Sequence, residues 1–99
     1  MNTIVRTEIF DRWLSQLKDA RGKARIIERI RSAERGNFGD CGNVGGGVSE
    51  MRIHFGPGYR VYFTRIDEVI YVLLCGGIKR GQRQDILQAR ELVRSLSEE

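Results

Sequence analysis

The sequence MRIHFGPGYRVYF, at residues 51–63, alternates apolar and polar side chains with a period of two on both sides of a short break. The period of two is typical of β-strands with one buried face. The break is Gly56-Pro57-Gly58, and glycine and proline at such positions favour a turn. The stretch therefore predicts a β-hairpin with one apolar and one polar face.

Upstream of this hairpin the apolar spacing becomes helical. Thr7 is placed to cap a helix whose apolar residues follow i, i+3, i+4, i+7, and a second helix follows the break at residues 19–22 and ends before Gly36. Residues 4–6 are predicted to form a short first strand. Residues 36–47 hold six glycines and no long apolar run, which predicts a mobile loop.

Downstream, the unbroken apolar run at residues 69–75 is typical of a strand inside a sheet. A last helix is expected to begin within residues 82–85 and to carry one apolar stripe. The resulting order is β-αα-βββ-α. It predicts a single α+β domain over residues 1–99, with an antiparallel sheet packed on helices along one face.

Composition and length limit the class of protein. Forty per cent hydrophobic and thirty per cent charged residues are typical of a globular domain, and 99 residues suffice for one core. The longest apolar run is too short to span a bilayer, and no export signal is visible at the N-terminus, so a cytoplasmic location is expected. Cys41 and Cys75 form no CxxC pair and are predicted to be free thiols.

The net charge of +4 is unevenly distributed. Residues 21–35 and residues 52–83 each hold six basic residues against two acidic ones, while the rest of the chain holds five against nine. Two basic segments on an acidic background suggest a face that binds a polyanion such as nucleic acid. For residues 21–35 alone, a solvated basic helix is the competing interpretation.

A compact polar cluster is expected on one face of the hairpin. If the strands pair from both ends of the turn, His54 lies opposite Arg60 and Arg52 lies opposite Tyr62. Cationic side chains this close together repel, and a fold tolerates them most readily where an anion neutralises them. Phosphate is the natural anion for arginine pairs. Three helices are too few to cover both faces of the predicted sheet, so the arginine face is expected to stay open.

This set of side chains suits phosphodiester cleavage by a 2′-hydroxyl, which needs a base, an acid and a cation for the developing charge. Arg52 and Arg60 are the candidate charge stabilisers, and His54 and Tyr62 are candidates for proton transfer or base stacking. Lys79 could serve either need. One histidine and no cysteine pair argue against a metal site, so chemistry without a metal or other cofactor is implied. Arginine and tyrosine that merely keep an exposed strand soluble are the alternative.

Four further residues are expected to contact RNA. Arg80, Gln82 and Arg83 follow the apolar strand and its double glycine, where the chain could fold over the rim of the arginine face. Lys23 lies in the basic helical segment. Trp13, at helical spacing, is expected to belong to the core.

The central part of the chain resembles the addiction-module killer proteins, a HigB-like branch of the RelE/ParE toxins. The resemblance covers nearly the whole chain. It is carried by residues 10–14, 36–40, 47–53, 56–63 and 73–79, with Gln82 and residues 85–86.

This resemblance implies the β-αα-βββ-α fold and a toxin that cleaves messenger RNA, usually in the ribosomal A site. Arg52 and Arg60 match sheet arginines that such toxins place around the scissile phosphate, and Lys79 matches a basic position after the last strand. His54 departs from the acidic or polar residue expected at its position. The loop at residues 41–46 is more glycine-rich than the family pattern.

The resemblance also implies a partner, a small helix-turn-helix DNA-binding antitoxin encoded beside the toxin. An acidic stretch of that antitoxin is expected to bind near residues 21–35 or 79–83, and no membrane partner is expected.

Three functions remain open from the sequence. The first is a ribosome-dependent endoribonuclease that leaves a 2′,3′-cyclic phosphate and a 5′-hydroxyl. The second is a ParE-like inhibitor that binds DNA gyrase without cutting, and the third is an inactive relative that binds nucleic acid or protein. One fold can serve all three. The arginine and tyrosine face favours RNA.

Overall fold

The computed structural model describes residues 1–97, which form one five-stranded sheet and three α-helices. The elements are β1 (Thr3–Arg6), α1 (Glu8–Gln16), α2 (Ala20–Glu34), β2 (Cys41–Gly45), β3 (Val48–Ile53), β4 (Tyr59–Asp67), β5 (Ile70–Ile78), a single 3₁₀ turn (Lys79–Gly81) and α3 (Gln82–Ser97). Among these residues no helix is both long and apolar enough to cross a membrane.

The sheet is mixed. Its strand order is β1-β5-β4-β3-β2, and β1 runs parallel to β5 while the other neighbours are antiparallel. The prediction of a wholly antiparallel sheet is therefore wrong at the first strand. Parallel neighbours need a long connection, and the two helices and the three strands that follow β1 provide it before β5 returns beside β1.

A strand lies where a mobile loop was predicted. Cys41–Gly45 pairs antiparallel with β3 and forms one edge of the sheet. The turn that follows uses glycines with positive φ at positions 45 to 47, a conformation that other residues rarely adopt. Glycine is depleted in strands, so its abundance here concealed β2.

The predicted helix ends at Thr7 and Gly36 are confirmed, whereas the break predicted at residues 19–22 lies at residues 17–19, because α2 begins at Ala20. Thr7 accepts a hydrogen bond from the Phe10 N–H at 3.0 Å and caps α1, and Gly36 follows α2 with a φ of 96°. Asp19 caps α2 by accepting from the Gly22 N–H at 3.0 Å. That bond, and then the one from the Tyr59 hydroxyl, lower the pKa of Asp19.

Helices cover both faces of the sheet, so the prediction that they lie along one face is wrong. The helices α1 and α2 pack on one face, around Phe10, Ile26 and Val61. On the other face Ala89 of α3 packs in a second buried cluster with side chains of β3, β4 and β5. The second cluster forms because those strands also carry apolar residues on the face that points towards α3. Burying these side chains away from water stabilises the fold. Trp13 packs against the first cluster, as predicted.

The two cysteines are free thiols, as predicted. Cys41 is exposed at the start of β2, whereas Cys75 is buried in β5. Burial raises the pKa of the Cys75 thiol to about 12, which makes it unreactive at neutral pH.

Candidate functional site

The β3–β4 hairpin closes with a five-residue connection, residues 54–58. Its first backbone pair is Ile53 with Tyr59. The predicted register began the pairing at the two residues next to Gly56-Pro57-Gly58, so it is wrong by two residues. Within the connection the Gly58 N–H donates to the Phe55 carbonyl at 3.0 Å, which forms the turn before the strands begin to pair.

The observed register places Arg52 directly opposite Arg60. The observed register differs from the predicted one by an even number of residues, so the two arginines stay on the same face of the sheet, as predicted. Glu50, rather than Arg52, lies opposite Tyr62. His54 lies in the connection, outside the strand pairing, and not opposite Arg60.

A buried carboxylate joins the two arginines. Glu50 is 2% exposed, and its two oxygens lie 3.1 Å from Arg52 Nε and 3.8 Å from Arg60 Nε. Gln82 Nε2 donates to the same carboxylate at 2.6 Å, so Gln82 reaches the arginine face as predicted. Glu50 was not among the predicted site residues. The signal that could have identified it is its position two residues before Arg52 in β3, which places both side chains on the same face of the sheet.

Arg60 and Tyr62 are both buried, and Tyr62 packs in the same cluster as Ala89 of α3. Arg60 is 5% exposed, and its Nη1 donates to the carbonyls of Gly58 and Tyr59 at 3.1 and 3.2 Å. The Arg60 Nε and the Tyr62 hydroxyl are buried and have no hydrogen-bond partner within residues 1–97. Burial, and then the nearby Glu50 carboxylate, raise the pKa of Tyr62. The prediction of an open arginine face is therefore wrong around these two side chains.

The outer side of Arg52 is occupied by a second carboxylate, Asp40. Arg52 Nη1 lies 2.8 Å from Asp40 Oδ1, and His54 Nε2 lies 2.6 Å from Asp40 Oδ2. All three side chains reach solvent, with 31% of Arg52, 48% of Asp40 and 69% of His54 exposed. The hydrogen bond from His54, and then that from Arg52, lower the pKa of Asp40.

Arg29 of α2 anchors the backbone around this cluster. Its guanidinium donates to the carbonyls of Arg52 at 2.6 Å, Phe38 at 2.7 Å and Asp40 at 3.2 Å. One of the six basic side chains of residues 21–35 therefore has a structural role. These bonds also fix the chain just before β2, which sets the position of the Asp40 carboxylate.

Three of the predicted cations lie together at the rim of the arginine face. The Lys79 N–H donates to the Gly58 carbonyl at 2.8 Å, the same oxygen that accepts from Arg60. Lys79 and Arg80 in the 3₁₀ turn and Arg83 in α3 are exposed. Among residues 1–97 none of the three forms an ion pair.

These cations border a groove of about 510 Å³ along α3. Apolar side chains of α3 contribute to the lining alongside the charged ones. The groove is lined by Lys79, Arg80, Gln82, Arg83, Ile86, Leu87 and Arg90. It therefore presents a cationic surface with an apolar component.

Lys23 lies apart from this cluster. It is half-buried in α2, which packs on the face of the sheet opposite to α3. In the described part of the chain no hydrogen bond or ion pair joins Lys23 to the other candidate residues. Within residues 1–97 no group of three or more His, Cys, Asp and Glu side chains could hold a metal ion.

The site is therefore a row in which basic and acidic side chains alternate. His54, Asp40, Arg52, Glu50 and Arg60 follow one another across β3, β4 and the chain before β2. Because two carboxylates balance two guanidinium groups, the unbalanced positive charge lies at the rim. An anionic ligand is expected to approach from the rim and to meet Arg52 at its exposed edge.

Comparison with known proteins adds one relative and no family model. No protein-family model matches the chain. A protein of Haemophilus influenzae described as uncharacterized is 49% identical over 90 residues, which is 91% of each chain. The matched length takes in nearly the whole domain.

Proposed function

This chain belongs to one family with that Haemophilus influenzae protein, and we propose that it is a RelE/ParE-type toxin of the HigB-like branch that cleaves messenger RNA. The observation that carries the proposal is the direct pairing of Arg52 with Arg60 beside the unpaired cations of the rim. In this proposal β2 is an edge strand added to the β-αα-βββ-α framework. The toxin acts in the cytoplasm, on messenger RNA held by the ribosome.

RNA binding begins at the rim. Lys79, Arg80 and Arg83 attract the phosphate backbone, because exposed cations without intramolecular partners steer polyanions toward a surface. The scissile phosphate then meets the exposed edge of Arg52. The nearly buried Arg60 adds its charge from below, in a region where the low dielectric strengthens the interaction.

The proposed reaction is a transesterification that needs no metal. His54 accepts the proton of the 2′-hydroxyl, whose oxygen attacks the phosphorus atom. Arg52 and Arg60 stabilise the charge on the pentacoordinate phosphate, and the Lys79 ammonium gives a proton to the leaving 5′-oxygen. The products are a 2′,3′-cyclic phosphate and a 5′-hydroxyl. Tyr62 contacts RNA only if α3 moves, because its side chain is buried.

The experiment that tests this function is expression of the chain without its partner while amino-acid incorporation, DNA breaks and RNA ends are followed together. We expect translation to stop and messenger RNA fragments with 2′,3′-cyclic phosphate ends to accumulate. Double-strand breaks with normal translation would instead support a ParE-like gyrase inhibitor. Normal growth with a folded protein would support an inactive relative that binds nucleic acid or protein.

The proposed partner is a small helix-turn-helix antitoxin that covers the groove along α3. The groove combines the apolar Ile86 and Leu87 with cationic neighbours, which suits an amphipathic segment rich in acidic residues. Arg80 and Arg83 are expected to carry much of the electrostatic attraction. Covering them would also block the entry path of RNA.

The toxin–antitoxin complex is expected to weaken as salt rises, because exposed charge pairs are screened within about 8 Å at physiological ionic strength. Replacing both Arg80 and Arg83 by alanine is expected to lower the affinity and to flatten this salt dependence. Arg94→Ala is the matched control, since Arg94 is exposed on α3 and is already paired with Glu91. An affinity that does not change with salt in the wild-type complex would rule out this mode of binding.

A further inference from the structure

The carboxylate of Asp40 contacts two candidate site residues, His54 and Arg52. Its Oδ2 lies 2.6 Å from His54 Nε2, and its Oδ1 lies 2.8 Å from Arg52 Nη1. The backbone beneath it is fixed, because the Arg52 N–H and the Arg29 guanidinium both donate to the Asp40 carbonyl, at 2.9 and 3.2 Å. A short side chain on an anchored backbone has few other positions, so forming these contacts costs less conformational entropy than an ion pair between two long side chains.

The contact with His54 determines which ring nitrogen can act. A neutral histidine has one N–H donor and one acceptor nitrogen. When Nε2 donates its hydrogen to the Asp40 carboxylate, Nδ1 is left as the acceptor. His54 is exposed, so the acceptor nitrogen is available to a ligand on the surface.

The contact with Arg52 occupies the edge that a phosphate needs. Arginine binds phosphate best with two parallel N–H donors, and in Arg52 the Nε is bound to Glu50 while Nη1 is bound to Asp40. Glu50 is buried and also accepts from Gln82, so it is held in place. Asp40 is half-exposed and is the carboxylate that an arriving phosphate can displace.

We propose that Asp40 is a positioning residue that presents Nδ1 of His54 to the 2′-hydroxyl and releases Arg52 to the scissile phosphate. The inference rests on the proposed ribonuclease function. In the reaction the 2′-hydroxyl proton moves to His54 Nδ1 as the bond from O2′ to phosphorus forms. The bond from phosphorus to O5′ breaks, and the 5′-oxygen takes a proton from Lys79. The carboxylate of Asp40 stabilises the imidazolium that results.

The two roles of Asp40 predict opposite effects on binding and on rate for Asp40→Asn. At saturating ribosome-bound messenger RNA the cleavage rate is expected to fall by about 10²-fold, because the amide no longer stabilises the imidazolium. The concentration for half-maximal rate is expected to stay the same or to fall, because a competing anion has been removed from Arg52. A purely structural role would lower the rate and weaken binding together, along with the melting temperature.

The matched control is Asp67→Asn, an exposed aspartate at the far end of β4. His54→Ala should lose about as much rate as Asp40→Asn, and the double variant should lose little more, because the two residues act as one unit. Asp40→Glu, which keeps the charge, should recover part of the rate.

Two outcomes would overturn the inference. Wild-type rate in Asp40→Asn would show that the carboxylate does not assist His54, and fully independent losses in the double variant would show that the two residues act separately. Either result leaves the proposed function standing, provided that the wild-type chain cleaves RNA. A wild-type chain that cleaves no RNA overturns the proposed function and this inference with it.

Discussion

Arg52→Ala is expected to lower the rate of messenger RNA cleavage by about 10²–10³-fold and to abolish translation arrest. Arg52 is the one guanidinium of the facing pair with a substantial exposed edge, so it is the group that a phosphate can contact directly. The loss should appear in the rate at saturating RNA, because the developing charge of the transition state is what the guanidinium stabilises. The measurement is the single-turnover rate of cleavage.

Arg65→Ala is the control for this prediction. Arg65 lies on the neighbouring strand β4, is exposed, and donates from its side chain only to the Asp67 carbonyl at 3.1 Å within the described residues. Its removal should leave the rate unchanged. Arg52→Lys should be intermediate, because lysine keeps the charge and loses the two-donor geometry. Full activity in a folded Arg52→Ala protein would remove the main support for the ribonuclease proposal.

Glu50→Ala is expected to lower the free energy of unfolding by about 3–5 kcal/mol. The substitution leaves the guanidinium of the nearly buried Arg60 without its paired carboxylate. It also removes the acceptor of the hydrogen bond from the Gln82 amide. A domain of this size is expected to have a total stability of about 5–15 kcal/mol, so the loss is a large fraction of it. Urea unfolding followed by tryptophan fluorescence measures the change, since Trp13 packs against the core.

The control for stability is Glu91→Ala. Glu91 is exposed on α3 and pairs with Arg94 at 3.0 Å, a surface contact expected to contribute less than about 1 kcal/mol. Glu50→Gln should fall between the two, because it keeps an acceptor and loses the charge. Equal unfolding midpoints for Glu50→Ala and the wild type would mean that the buried carboxylate does not stabilise the fold.

The sequence predicted the elements whose signals are local. Thr7 and Gly36 mark helix ends through backbone chemistry that one or two residues decide, and the turn at residues 56–58 separates two strands for the same reason. The register was predicted wrongly because it depends on how many residues the connection uses. Gly56-Pro57-Gly58 indicates a turn without giving the length of the connection, and the two extra residues beside it shifted every pair.

The features that were missed depend on contacts between distant segments. The strand β2 is rich in glycine, and it becomes a strand because β3 offers an edge to pair with. Asp40 reaches Arg52 and His54 only as a result of that pairing. The sequence did contain a signal that a helix packs on the second face of the sheet. Val72 and Leu74 point to the face of β5 opposite to Leu73, and apolar side chains there need a further layer to bury them.

The position of β5 constrains how the protein is made. This strand lies between β1 and β4, so Thr3 pairs with Ile70 across most of the chain length. Pairings this distant in sequence form slowly and require both partners to be present. A growing polypeptide therefore cannot close its sheet until residues 70–78 have been synthesised, and the rim cations follow only after that. An unfinished chain still attached to the ribosome that makes it has not yet brought Arg52, Arg60 and the rim cations together.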